Sequence, residues 1–251
     1  MRPVSLFLTC LADGFLPRPA IAAVKVLEHF GCQLSFPADQ TCCGQPQYNN
    51  GYHAETRVLA RRMIDLFEDA ETVVTPSASC AAIVRGAYPD LFDAADPWRE
   101  RARRLAANTY EFVEFLDREL KVDLVAAGAR WPGRVTYHWS CHNRALGLTD
   151  ESLRLMECIE GLEVTPLEDQ DECCGFGGTF AVKFAAVSGS MARAKASRIR
   201  ATGAPVVVSN ESGCTLNLAG CCHREDVPVR FLSLAEVIAE SLGLLPRSEA
   251  A

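Results

Sequence analysis

The chain has 251 residues, 49% of them hydrophobic and 23% charged, with a formal net charge of −7. This composition is ordinary for a globular protein and excludes a fibre or a disordered chain. The acidic balance gives no support to nucleic-acid binding, which a basic excess would accompany. No stretch reaches the roughly 18 to 20 apolar residues of a membrane span, so we predict a soluble protein.

An apolar run follows Arg2 and ends at Cys10. This pattern superficially resembles a secretion or lipoprotein signal. The charged region is too short for such a signal, and Cys10 has an internal counterpart in Cys141. We therefore predict a cytoplasmic protein. In that reducing compartment we expect the cysteines to act as ligands rather than as a disulfide framework, although adjacent cysteines can also pair.

Short apolar runs that alternate with helical patterns predict parallel α/β units. In chain order, strands are predicted at 4–9, 73–75, 134–139 and 206–208, and helices at 20–30, 54–67, 108–120, 151–159, 179–201 and 234–242. A stretch containing Gly, Ala and Pro at 126–133 marks the expected boundary. We predict an α/β fold of two similar Rossmann-like halves, 1–128 and 129–251, with short parallel sheets related by pseudo-two-fold symmetry.

One cysteine pattern occurs twice in the chain. Each half carries a lone cysteine, an adjacent pair followed by glycine, and a final cysteine; the eight residues are Cys10, Cys42, Cys43 and Cys80, then Cys141, Cys173, Cys174 and Cys214. The lone cysteine precedes the pair by 32 positions in both halves, and the pair's second member precedes the final cysteine by 37 positions in one half and 40 in the other. Because ligands gather at the carboxyl ends of parallel strands, we predict one four-cysteine site within each half.

Four thiolates brought together by a fold are the donor set of an iron–sulfur cluster or of a structural metal. Gly44 and Gly175 directly follow the cysteine pairs and allow a close backbone approach or a positive φ. We predict two clusters, with [4Fe-4S] preferred over a two-iron centre. Three functions remain open on these residues: an electron-transfer subunit, a thiol–disulfide reductase subunit and a zinc-stabilised interaction scaffold.

Four cysteines have no counterpart in the repeat and are expected to be small buried hydrophobes: Cys32, Cys158, Cys221 and Cys222. The Cys221–Cys222–His223 run is the best candidate among them for an added metal or redox role. His138 and His142 flank Cys141; each is expected either to hydrogen-bond a ligand sulfur or carry a proton, or to be a packed histidine near a strand end. Basic residues after the second pair predict either a solvated helix face or a docking surface for an acidic partner: Lys183, Arg193, Lys195, Arg198 and Arg200.

Several motifs resemble one known family. The stretches that carry the likeness are 4–11, 41–46, 49–52, 137–142 and 172–178. They are similar to the lactate-utilisation protein A family, which belongs to the Cys-Cys-Gly cysteine-rich domain proteins. That group also includes the B subunit of heterodisulfide reductase and the iron–sulfur subunit of glycolate oxidase. The resemblance covers nearly the whole chain in order, spacing and flanking residues.

The resemblance implies an iron–sulfur subunit of a three-protein system that oxidises L-lactate to pyruvate. Its partners would be a ferredoxin-type iron–sulfur protein and a third subunit, with L-lactate at a shared site, and its ligands would be the eight repeated cysteines. In the heterodisulfide reductase relatives the final cysteine opens a Cys-x-x-Cys, whereas Ile83 and Asn217 stand at that fifth position here. This departure argues against the disulfide-reducing chemistry of those relatives.

Overall fold

Two four-stranded parallel sheets form the framework of the computed structural model, which describes residues 1–248. The first sheet consists of β1 (Arg2–Leu6), β2 (Cys32–Ser35), β3 (Val73–Thr75) and β4 (Thr109–Glu111), in the order β2-β1-β3-β4. The second consists of β5 (Arg130–His138), β6 (Glu160–Thr165), β7 (Val206–Ser209) and β8 (Arg230–Leu232), in the order β6-β5-β7-β8. The matching strand order confirms the prediction of an α/β fold with two similar halves.

Helices connect the strands, as parallel pairing requires. In the first half they are α1 (Cys10–Phe15), α2 (Pro17–His29), α3 (Gln45–Asn49), α4 (His53–Leu66), α5 (Ala78–Ala82), α6 (Pro97–Asn108) and α7 (Phe112–Glu114). In the second half they are α8 (Cys141–Leu146), α9 (Glu151–Glu157), α10 (Thr179–Lys183), α11 (Ala185–Thr202), α12 (Ser212–Arg224) and α13 (Leu234–Ser241). Helices α5 and α7 continue into the π-helical segments Ile83–Ala87 and Phe115–Leu120. Among residues 1–248, no helix is both long and apolar enough to cross a bilayer.

The two halves share a hydrophobic core. Val4 of β1 and Val135 of β5 lie in the same cluster of buried side chains. Helix α13 of the second half packs on α2 of the first, where Arg18 forms an ion pair with Glu240 at 2.8 Å. The same carboxylate accepts a 2.9 Å hydrogen bond from the indole nitrogen of buried Trp131. This shared core fixes the position of one sheet relative to the other.

Two predicted helices differ from the structure. Residues 108–120 were predicted as one helix, but Thr109–Glu111 form the edge strand β4, and helical structure resumes only at Phe112. The Glu111 side chain caps this new helix by accepting the N–H groups of Val113 and Glu114. The predicted helix 179–201 is interrupted at Phe184, whose backbone leaves the helical region. The division into cysteine-rich repeats at 1–128 and 129–251 remains a prediction, and its last three residues lie outside the described part.

Candidate functional site

Both cysteine sets face one cavity of about 180 Å³ between the two halves. All eight repeated cysteines line it: Cys10, Cys42, Cys43, Cys80, Cys141, Cys173, Cys174 and Cys214. The four cysteines of each set lie in one half of the chain. The two sets also open onto a common space, which was not predicted from the sequence.

In the first half, strand ends and helix starts bring four thiols together. Cys10 is the first residue of α1 and Cys80 is the third residue of α5, so both follow the carboxyl end of a strand by a short loop. Cys42 and Cys43 lie on the loop before α3. The Cys43 and Cys80 sulfurs are 3.2 Å apart, and the Cys42 sulfur accepts the Gly44 N–H at 3.4 Å.

The second half repeats this arrangement. Cys141 is the first residue of α8 and Cys214 is the third residue of α12, again after strands of the sheet. The Cys174 and Cys214 sulfurs are 2.9 Å apart. The Cys173 sulfur accepts the Gly175 N–H at 3.4 Å, the counterpart of the bond at Gly44. The two sets are therefore built by the same local structure.

Hydrogen bonds within each set favour a thiolate at the first member of the cysteine pair. In the first half, the thiols of Cys10 and Cys43 donate to Cys42 and hold its pKa well below the usual range. In the second half, the corresponding thiols lower the pKa of Cys173 in the same way. The pKa of each donating thiol is raised in turn. Since metals bind thiolates rather than thiols, Cys42 and Cys173 are the members of the two sets that these hydrogen bonds favour as metal ligands.

The glycine after each cysteine pair has a positive φ, one of the two alternatives that the sequence left open. Gly44 has a φ of 83° and Gly175 a φ of 82°. A Cβ atom at Gly175 would lie 2.8 Å from the backbone oxygen of Ser188 and 3.1 Å from Met191 Cβ. Only glycine therefore allows the second cysteine loop to pack on α11.

The carbonyl groups of the buried cysteines are also held in place. The Tyr88 hydroxyl donates to the Cys43 carbonyl oxygen at 2.8 Å. In the second half, the side-chain amide of Asn217 donates to the Cys174 carbonyl at 2.8 Å. Asn217, three residues after Cys214, thus orients the second cysteine loop.

His138 is the candidate histidine that the fold brings to the cysteines. It ends β5, is buried, and has one ring nitrogen and the Cys174 and Cys214 sulfurs within 4.8 Å of one another. Neither ring nitrogen has a hydrogen-bond partner among residues 1–248. Burial, and then the charge of Lys195, lower the His138 pKa to about 4, so the imidazole is neutral. His142 is only partly buried, with its Nδ1 atom 3.8 Å from the Cys141 sulfur.

Glu211 is a residue of the site that was not predicted from the sequence. This buried carboxylate lines the cavity and caps helix α5 of the other half by accepting hydrogen bonds from Ser77 and Ser79. Glu211 lies three residues before Cys214, as Ser77 lies three before Cys80. Alignment of the two halves could have singled out Glu211, because it has a carboxylate where the first half has the serine hydroxyl of Ser77.

The cysteines outside the repeat follow the prediction in three cases of four. Cys32, Cys221 and Cys222 are buried in hydrophobic clusters. Cys158 is exposed, so the prediction of burial was wrong there, because it follows the last turn of α9 on the surface. His223 is exposed while Cys221 and Cys222 are buried, so this run does not converge on one site.

The basic residues after the second cysteine pair do not form one solvated face. Lys195 is buried, and its ammonium donates a hydrogen bond to the Asp169 carbonyl oxygen. Arg198 pairs with the Asp169 and Glu172 carboxylates. Two of these basic residues, Lys195 and Arg198, therefore contact the loop before Cys173 and are not available as a solvated face.

Comparison with known proteins identifies the family. The cysteine-rich domain family matches residues 4–85 and 135–219. Lactate utilization protein A of Geobacillus thermodenitrificans is 45% identical over 236 residues, which cover 94% of this chain and 98% of that protein. The chain belongs to the lactate utilization protein A family. The family member from Halalkalibacterium halodurans is 44% identical, over 94% of this chain and 96% of that protein. The resemblance seen in the sequence is thus confirmed.

Solved structures give a more distant likeness. Glutamate racemase from Francisella tularensis superimposes with a TM-score of 0.35 and 11% identity, over 97% of this chain and 80% of that one. A likeness this distant does not indicate function.

Proposed function

We propose that the chain is an iron–sulfur electron-transfer subunit of a multi-protein system that oxidises L-lactate to pyruvate. The observation that carries this proposal is the pair of four-thiol sets, built by the same local structure and open to one cavity. The assignment of lactate as the substrate rests on the family, whose members are named for lactate utilization. Four thiolates per site are the usual protein ligands of a [4Fe-4S] or [2Fe-2S] cluster.

The donor sets suit two clusters, which we expect to be [4Fe-4S]. Cys10, Cys42, Cys43 and Cys80 would hold one, and Cys141, Cys173, Cys174 and Cys214 would hold the other. Such clusters, when bound, accept and release single electrons. The N–H groups of Gly44 and Gly175, which already donate to cysteine sulfur, would stabilise the charge on the ligands.

The surroundings of the thiols support electron transfer rather than storage of metal. Cys43, Cys80, Cys174 and Cys214 are buried among apolar side chains, which exclude water from the inner part of each site. Cys10 and Cys173 are exposed, so each set also reaches the protein surface. The cavity that both sets line would allow electrons to pass between the two sites. The exposed cysteine of each set would allow electrons to pass to or from a partner protein.

We infer that the partners are a ferredoxin-type iron–sulfur protein and a third subunit of the lactate system. An exposed thiol at each site supports close approach of such a partner, because electron exchange requires short distances between centres. L-lactate would be oxidised at a site shared with the partners.

Iron, acid-labile sulfide and zinc per chain, measured on protein purified without oxygen, test the cluster proposal. About eight iron and eight sulfide per chain would support two four-iron clusters. Stoichiometric zinc without iron would contradict the proposal and favour a zinc-stabilised scaffold. The lactate assignment is tested by adding L-lactate to the chain together with its partner proteins. Bleaching of the visible cluster absorbance is expected, and it should not follow addition of D-lactate or of L-lactate without the partners.

A further inference from the structure

The two thiol sets differ at one buried position. Phe7 lies three residues before Cys10 in the first half, and His138 lies three residues before Cys141 in the second. Both follow or end the central strand of their sheet, and both are about 1% exposed. The repeat therefore places an apolar ring at one site and an imidazole at the equivalent place of the other.

The two rings lie near equivalent cysteines. Phe7 lies in one hydrophobic cluster with Cys43 and Cys80. His138 lies beside Cys174 and Cys214, with the three potential ligand atoms within 4.8 Å of one another. The first half thus offers four sulfur donors, and the second half offers four sulfur donors and one nitrogen.

The protein groups around His138 provide no hydrogen-bond partner for its ring nitrogens. Both ring nitrogens lack a hydrogen-bond partner among the described residues 1–248. Its neighbour across the sheet, Ser209, also has a buried hydroxyl that forms no hydrogen bond in that part of the chain. Burying polar atoms without partners destabilises a protein, and a packing role would be filled better by the phenylalanine that the first half uses.

We propose that His138 contacts the iron–sulfur centre of the second half through a ring nitrogen, so that the two centres of this chain are chemically inequivalent. This inference rests on the proposed function, because it concerns the same cysteine sites. A nitrogen ligand is neutral where a thiolate is anionic, and a cluster held by histidine in place of cysteine has a higher reduction potential. The second centre is therefore the more easily reduced of the two.

The test compares His138→Phe, which copies the first half, with His142→Gln, which alters the neighbouring histidine. Protein labelled with ¹⁵N only in histidine is reduced, and the nitrogen coupling to the cluster spin is measured by pulsed EPR. The potentials of both centres are measured by redox titration. We expect a ¹⁵N coupling in the unmodified chain that is lost in His138→Phe and kept in His142→Gln. We also expect one potential to shift downward in His138→Phe, with iron and sulfide per chain unchanged.

The outcomes separate this inference from the proposed function. Two clusters without any ¹⁵N-histidine coupling would overturn the role of His138 and leave the electron-transfer proposal standing. A coupling that persists in His138→Phe and disappears in His142→Gln would also overturn it. A chain that binds no iron would overturn both. If the phenylalanine variant does not fold, the labelled His142→Gln protein decides the question, because a coupling that remains there does not come from His142, and a coupling lost there overturns the role of His138.

Discussion

Glu211 of the second half accepts hydrogen bonds from both the backbone N–H and the hydroxyl of Ser79 in the first half, at 2.9 Å and 3.0 Å. It also accepts from the Ser77 hydroxyl at 3.0 Å. Ser77 and Ser79 belong to the helix start that carries Cys80, while Glu211 precedes the helix that carries Cys214. One carboxylate therefore joins the two cysteine sites across the cavity.

Replacing Glu211 with glutamine should weaken this connection, because a neutral amide has one acceptor oxygen and places an NH₂ group against donors. We expect Glu211→Gln to lower the free energy of unfolding by about 1.5–3 kcal/mol, the range for hydrogen bonds to a charged group. Chemical denaturation measures this change. The matched control is Glu157→Gln on the exposed side of α9, which should change stability by less than about 0.5 kcal/mol. Equal effects in the two variants would contradict the bridging role.

Loss of one buried cysteine should empty one site and spare the other. Cys43→Ser and Cys174→Ser should each reduce the iron and sulfide content by about one cluster per chain, because each removes one of four thiolates. Anaerobic metal analysis and the visible spectrum measure the loss. Cys158→Ser, which changes an exposed cysteine outside both sets, should retain the full content. Full iron content in both site variants would exclude these cysteines as ligands.

Gly175→Ala should disrupt the second cysteine loop more than an equivalent glycine change elsewhere. Gly31 offers the control, since its φ of 80° matches the 82° of Gly175 but nothing lies within 4 Å of its would-be Cβ. Both alanines pay about 1–2 kcal/mol for the left-handed backbone. Only Gly175→Ala adds a collision with the Ser188 backbone oxygen at 2.8 Å. We therefore expect Gly175→Ala to lower the free energy of unfolding more than Gly31→Ala does. We also expect Gly175→Ala, but not Gly31→Ala, to lose the iron of the second site.

The buried carboxyl of Glu111 should make stability depend on pH. Desolvation raises its pKa from 4.5 to about 8, with the nearby carboxylates of Glu114 and Glu211 adding to the shift. Between these pH values the folded chain keeps a proton that the unfolded chain has lost. The free energy of unfolding therefore falls as pH rises through this window, by up to about 1.4 kcal/mol per pH unit from this group.

Glu111→Gln should remove that contribution while keeping an acceptor oxygen for the helix cap. Denaturation at a series of pH values should show the stability difference between variant and unmodified chain growing in favour of the variant from about pH 4.5 to pH 8. A difference that does not vary with pH would show that Glu111 is ionised in the folded chain.

Much of the fold could be predicted from the sequence because its signals are local. The central strands, β1, β3, β5 and β7, are apolar runs whose period and length identify them. The other four strands lie toward the sheet edges and were not predicted. Thr109–Glu111 resembled the start of a helix, and only pairing with β3 makes it a strand. Cys158 was misplaced because a single cysteine does not indicate which side of a helix faces solvent.

By itself, the sequence determined that there are two similar α/β halves, that each carries four cysteines at similar spacing, and that a glycine follows each pair. These are properties of short segments and of a repeat, and they can be identified without any long-range contact. The tertiary structure alone decided that both sets open onto one cavity, that Glu211 caps a helix of the opposite half, and that His138 lies beside Cys174 and Cys214. Those contacts join residues far apart in the chain, and they depend on how the shared core packs one sheet against the other, which no local pattern specifies.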